Sequence, residues 1–171
     1  MSTTGLIVGR FYPFHKGHRF LVQTALDNAD RVFLVVTGRY GQTIDYEQRA
    51  DWIRTSFARE VAEGRLVVKT FHQDAAGIPD RSTSAWSEAA RKTIGFSPDI
   101  LFTSEPYQNG LADALGADFF VVDSNRKSVP ISATRIRENP EAWKHMLEPH
   151  VYRDIQNKIL ADDGAARFVP A

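Results

Sequence analysis

The sequence predicts an α/β protein: a five-stranded, mainly parallel sheet with helices on both faces and a C-terminal helical segment. Three observations carry this. Short apolar runs recur at residues 6–8, 31–37, 66–71, 99–103 and 118–123. The first three are too continuous for strands wet on one face, which suits a sheet covered on both sides. Between the runs lie stretches with helical spacing or helix stop signals, and such alternation implies right-handed crossovers.

Each element has its own signal. Leu6, Ile7 and Val8 form the first strand, Gly9-Arg10-Phe11-Tyr12-Pro13 a turn, and Phe20, Leu21, Thr24 and Ala25 give helical spacing. After the strand at 31–37, a helix over 46–63 carries Ala50, Ile53, Phe57 and Val61 on one stripe and stops at Gly64. The polar segment 72–82 reads as a binding loop. A helix capped near Ser82 reaches Ile94 and stops at Gly95; a shorter one holds Leu111, Ala112 and Leu115 and closes at Gly116. In the tail, Ser132 caps a turn through Arg137, Asn139-Pro140 starts a helix through Leu147, and Val151, Ile155 and Ile159 stripe a last helix. The expectation is one domain over 1–171, with its core at 5–138, helices at 139–161 and a frayed tail at 162–171.

Composition narrows the function classes. Lysine plus arginine (21) equals aspartate plus glutamate (21), so the basic excess of a nucleic-acid binder is missing. No apolar run is long enough to span a bilayer, and the N-terminus lacks the pattern of a signal peptide. The absence of cysteine excludes disulfides and thiolate zinc sites and fits a reducing cytoplasm.

Two stretches carry chemistry. His15-Lys16-Gly17-His18 falls where the first strand feeds its helix, at the carboxyl edge where open α/β sheets bind ligands. Two histidines at a helix start lie near unpaired N–H groups and the positive end of the helix dipole, a setting that favours phosphate. Gly17 lets an anion approach the backbone. Histidine donors suit phosphoryl or nucleotidyl transfer, although solvated or metal-binding histidines fit the pattern equally. Ile131-Ser132-Ala133-Thr134-Arg135-Ile136-Arg137 again joins a hydroxyl cap, free helical N–H groups and arginine. Arg135 and Arg137 cannot both face one ligand, and taken alone the stretch reads first as a capped surface helix.

Together, G-R-F-x-P-F-H-x-G-H and I-S-x-T-x-I-R resemble the paired signature of the H-x-G-H nucleotidylyltransferase superfamily. Within it the chain is most similar to the nicotinamide-nucleotide adenylyltransferase domain of NadR-type proteins, through PDILFTSE (98–105), VVDSNRKSVPISATRIRENP (121–140) and Trp143 as well. The resemblance implies a Rossmann-like nucleotidylyltransferase fold. It also implies transfer of AMP from ATP to nicotinamide mononucleotide (NMN), giving NAD and pyrophosphate, with magnesium arriving on ATP and no covalent enzyme intermediate. By position in the motifs, His15, His18 and Arg137 would be catalytic. Gly9, Arg10, Phe11, Tyr12, Asp123, Arg126, Ser132 and Thr134 would join them in holding ATP. Trp86, Thr103 and Ser104 would face NMN, although Trp86 also fits a core stripe with Ala89 and Ala90. Arg126 could equally be an exposed arginine, and Asp123 an ordinary helix or turn cap.

NadR-type proteins can carry a helix-turn-helix and a nucleoside kinase. The length leaves no room for either, and no G-x-x-x-x-G-K-[ST] is present. A cytidylyltransferase, a pantetheine-phosphate adenylyltransferase and a non-catalytic nucleotide sensor remain as alternatives. The sequence leaves a homo-oligomer open.

Overall fold

The computed structural model describes residues 2–161, so the segment expected to fray at 162–171 lies outside the described residues. Five strands, β1 (Thr4–Gly9), β2 (Arg31–Gly38), β3 (Leu66–His72), β4 (Ile100–Thr103) and β5 (Asp118–Val121), form one sheet in the order β3-β2-β1-β4-β5. Every pairing is parallel, with Val8 beside Val35, Leu6 beside Leu101, and Leu101 beside Phe119. The helices are α1 (Lys16–Asn28), α2 (Tyr46–Ser56), α3 (Ala58–Ala62), α4 (Thr83–Ile94), α5 (Asn109–Leu115), α6 (Ala133–Glu138) and α7 (Pro149–Ile155). No helix among the described residues is long and apolar enough to cross a membrane.

Strand alternation divides the apolar side chains between two cores. Ile7, Leu34 and Val36 pack with residues of α1, α2, α6 and α7. Leu6, Val8, Phe33, Val35 and Leu101 pack with Trp86, Ala90 and Ile94 of α4 and with Leu111, Ala112 and Leu115 of α5. Full burial of one Leu or Ile side chain is worth about 1.5–3 kcal/mol, so both faces hold the sheet firmly.

Several elements differ from expectation for local reasons. The buried face of α1 is His18, Leu21, Val22, Ala25 and Leu26, while Phe20 stays 39% exposed. The helix expected over 46–63 is broken at Phe57, which leaves helical geometry (φ −120°, ψ 38°) with its ring buried beneath the Arg19 guanidinium. No α-helix spans 139–147. The Asn139 side chain accepts the Ala142 N–H (3.2 Å) to form a turn, and only a 3-10 turn, Lys144–Met146, follows. The last helix begins at Pro149 and ends at Ile155, where Gln156 turns extended, so Ile159 is 90% exposed and Leu160 is buried instead.

The chain passes from β1 to β2 on one side and reaches β4 on the other. Neighbouring loops therefore diverge beyond the carboxyl ends of β1 and β4, the crevice where such sheets bind ligands.

Candidate functional site

A narrow cleft lies in that crevice, lined by the β1–α1 turn, the end of β4 and the loop after β5. The turn leaves β1 at Gly9, passes Phe11 in left-handed geometry (φ 51°) and a cis Tyr12-Pro13 bond, and reaches His15 at the N-cap of α1.

The two histidines close a reciprocal cap. His15 Nδ1 accepts from the N–H groups of Gly17 (3.0 Å) and His18 (3.3 Å), and His18 Nδ1 accepts from the His15 N–H (3.3 Å). A ring nitrogen that accepts carries no hydrogen, so each neutral imidazole keeps its proton on Nε2 as a donor. The rings stack at 3.6 Å, and Phe11 meets the His18 ring edge-on. His15 Nε2 is buried and has no partner. Burial first, and then the charge of Arg126, pushes the His15 pKa down to about 3. Burial holds His18 well below its ordinary value, followed by the charges of His15, Arg126, Arg10 and Arg137. The site therefore presents neutral N–H donors among guanidinium cations. A Cβ at Gly17 would come within 2.8 Å of His15 Cε1, so glycine is the residue that leaves this cap undisturbed.

Opposite, Thr103 is buried and its hydroxyl accepts the Glu105 N–H (3.0 Å); Ser104 lies between them on the cleft wall. Arg126, also left-handed (φ 55°), donates to Glu105 Oε1 (3.2 Å) and the Ile131 carbonyl (2.9 Å). Asp123 lines the cleft, but its carboxylate accepts the N–H groups of Ser128 (2.9 Å) and Val129 (3.0 Å). The Ser128 N–H is the largest cause holding that carboxyl below its usual range, so Asp123 acts here as the turn cap considered from the sequence.

The second motif meets the first through Arg137, which donates to the Tyr12 carbonyl (2.7 Å) and to Thr134 Oγ1 (3.4 Å) with its guanidinium 5.3 Å from the Tyr12 ring. Ser132 caps α6 by accepting the Arg135 N–H (3.3 Å). Arg135 is exposed and lines a surface pocket with Arg126 and Ser132. Lys16 is exposed. Among the described residues no group of three or more His, Asp or Glu could hold a metal ion.

Comparison with known proteins bears on this arrangement. A family model described as the citrate lyase ligase C-terminal domain matches residues 4–62, roughly a third of the chain. The "Trifunctional NAD biosynthesis/regulator protein NadR" of Escherichia coli K12 is 26% identical over 167 residues, covering 85% of this chain and 39% of that protein. Its Salmonella typhimurium counterpart is 25% identical, covering 83% and 38%. The chain thus spans less than two fifths of the length of these curated relatives. A NadR structure in complex with NR superposes with a TM-score of 0.67 at 23% identity, covering 90% of this chain and 45% of that one. A bifunctional NMN adenylyltransferase/ADP ribose pyrophosphatase from Francisella tularensis superposes at 0.63 with 17% identity, covering 98% and 48%. In sequence and in fold the chain resembles the nucleotidylyltransferase superfamily.

Against the family pattern, Trp86 is the residue whose assigned place changes. Its ring is 1% exposed, packed against Phe71 (5.5 Å) in the α4–α5 core, and offers no open face for stacking. The core stripe, the other reading its spacing allowed, describes it. Other contributors to the site were missed. Arg49 is fully buried behind the β1–α1 turn and donates to the carbonyls of Arg10 (2.6 Å), Ile44 (3.1 Å) and Thr37 (3.3 Å). Its only sequence signal is a place beside Ala50 and Ile53 on α2. Glu105, the partner of Arg126, could have been suspected from its position just past a strand end.

Proposed function

We propose that the protein transfers AMP from ATP to nicotinamide mononucleotide, giving NAD and pyrophosphate. The observation that carries this reading is the pair of neutral imidazoles whose Nε2–H donors are held at the sheet's switch point by their own backbone bonds. The acceptor's phosphate oxygen attacks the α-phosphorus of ATP, the bond to the β-phosphate oxygen breaks, and pyrophosphate leaves with its electron pair. Such a transfer needs alignment and donors aimed at the charge that develops on phosphoryl oxygens. His18 and His15 supply those donors without adding a proton to lose. Gly9, Arg10, Phe11 and Tyr12 form the nucleotide-facing turn, while Ser132, Thr134 and Arg137 hold the leaving pyrophosphate, with Arg126 adding positive charge. Thr103 and Ser104 line the acceptor side. Magnesium enters bound to ATP as part of the substrate, keeping waters and phosphate oxygens as its ligands.

The named activity of the relatives supports an adenylyltransferase of NAD biosynthesis, and a NadR structure similar to this chain was solved with NAD and AMP-PNP. The citrate lyase ligase match spans the strand, turn and helix that carry the histidines, so it bears on the phosphate half of the site and not on the acceptor. We assign the protein to the cytoplasm, which suits a chain without cysteine.

The test is pyrophosphate release from magnesium ATP with NMN, nicotinate mononucleotide or phosphopantetheine, with CTP as the control nucleotide. Release with NMN accompanied by NAD is the expected result. Release only with another pair discards the acceptor, and no release from folded, ATP-binding protein favours a nucleotide sensor.

A further inference from the structure

Arg49 is fully buried in the first turn of α2, and burying a guanidinium is costly unless its donors are met. They are met by the carbonyls of Arg10 (2.6 Å), Ile44 (3.1 Å) and Thr37 (3.3 Å) and by Gln42 Oε1. Thr37 belongs to β2, and Gln42 and Ile44 to the loop after it, so these three lie on the β2 side of β1. The cleft lies on the other side, against Thr103, Ser104 and Glu105 at the end of β4. Arg10 sits between them, one residue past β1. In a trans peptide the C=O and the following N–H point in opposite directions. Arg49 draws the Arg10 carbonyl toward β2, which turns the Phe11 N–H toward the cleft that Phe11 lines. Among the described residues that N–H has no hydrogen-bond partner.

The bond also opposes a backbone preference. Phe11 is left-handed (φ 51°). Rotating the Arg10–Phe11 peptide by about half a turn would carry that φ to about −130°, an ordinary extended value. The same rotation would swing the Arg10 carbonyl oxygen toward the cleft. Local sterics favour that flip, and the buried arginine prevents it.

We propose that Arg49 is a positioning residue that fixes the Arg10–Phe11 peptide with its N–H directed into the cleft, as a further donor to the ATP phosphates beside the two histidines. The proposal rests on the adenylyltransferase reading above. A fixed backbone N–H stabilises charge developing on a phosphoryl oxygen without reorganising, whereas a carbonyl in its place repels it. Arg49 does this from behind β1 and touches neither substrate.

The test follows the Phe11 amide by NMR. Carbonyl-labelled arginine with amide-labelled phenylalanine leaves three amides visible, those of Phe11, Phe20 and Phe168, because arginine precedes phenylalanine at those positions. Magnesium α,β-methylene-ATP, whose bond to the β-phosphate cannot be cleaved, should move the Phe11 amide downfield and Phe20 far less. Arg49→Lys keeps a cation but loses the planar fork, so it should abolish that displacement. It should also lower kcat by about a hundredfold, the scale of a small misplacement at the reacting centre, with the KM for NMN little changed. Gln42→Met removes one oxygen from around Arg49 and should move the same readings less far in the same direction, and it serves where the lysine variant does not fold. An arginine that only stabilises the fold would lower the melting temperature and leave the Phe11 displacement and kcat intact. A wild-type Phe11 amide that ignores the bound nucleotide, or variants that keep both displacement and kcat, overturns the proposal, while NAD formation by the wild type leaves the adenylyltransferase reading standing. A wild type that releases no pyrophosphate and forms no NAD rejects both.

Discussion

His15 performs two separable tasks, and paired substitutions should divide them. Its Nδ1 accepts the Gly17 and His18 N–H groups, while its Nε2–H is buried with no partner in a residue that lines the cleft. Asparagine at position 15 keeps a cap acceptor and removes the Nε2 donor; alanine removes both. An N-cap is worth about 1 kcal/mol, and in a domain of this size that moves the melting temperature by about 2–4 °C. His15→Ala should therefore melt that much below His15→Asn. Both should lose turnover by about a hundredfold or more, the scale of losing one donor to developing phosphoryl charge. His18→Ala, which keeps the His15 cap but loses the second donor, should fold and lose turnover to a similar extent, about a hundredfold. Pyrophosphate release at saturating ATP and NMN, read beside thermal unfolding, separates the outcomes. If His15→Asn turns over like the wild type, the Nε2–H is not used. If it melts like the alanine variant, the cap does not hold the turn.

Two further predictions follow from burial. The fold keeps both histidines neutral, His15 down to about 3, whereas in the unfolded chain they take up protons near 6.5. Stability is therefore independent of them above 6.5 and falls as pH drops below it, by up to about 1.4 kcal/mol per pH unit for each ring. Urea midpoints between about pH 8 and pH 5 should fall less steeply for His15→Asn than for the wild type, and parallel slopes would refute the neutral state. Trp86→Ala should lower stability by about 3–5 kcal/mol and Trp86→Phe far less, measured by denaturant unfolding; a small loss in the alanine variant would contradict its place in the core.

What could be read from the sequence was what local chemistry determines. The β1–α1 unit was legible because an apolar run, a turn and a helix follow one another in the chain, and the stops at Gly95 and Gly116 were legible because left-handed C-caps favour glycine. The 139–147 segment was misread because Asn139-Pro140 is equally good at starting a turn, and nothing local decided between them. Spacing placed Trp86 on a helix face but could not say whether that face met solvent or Phe71, a residue fifteen positions earlier. The tautomer of the histidines depends on two rings exchanging backbone bonds. The role of Arg49 depends on carbonyls distant in sequence.

The backbone itself points to the same place. Among the described residues, four that are not glycine adopt positive φ: Phe11, Asp123, Arg126 and Asn157. Three of them line the one cleft. Left-handed geometry costs roughly 1–2 kcal/mol for such residues and persists only where the surroundings over-determine it. Here they do. The Asp123 carboxylate ties two N–H groups of its own loop, Arg126 bridges Glu105 and the Ile131 carbonyl, and buried Arg49 grips the carbonyl of Arg10 just before Phe11. Strain gathered at one crevice and braced from three sides fixes donors in position before a substrate arrives, which is the condition under which fixed dipoles stabilise a transition state without reorganising. The bracing predicts its own weak point. Removing Arg49 would release the turn that carries both histidines, although Arg49 is buried behind the cleft.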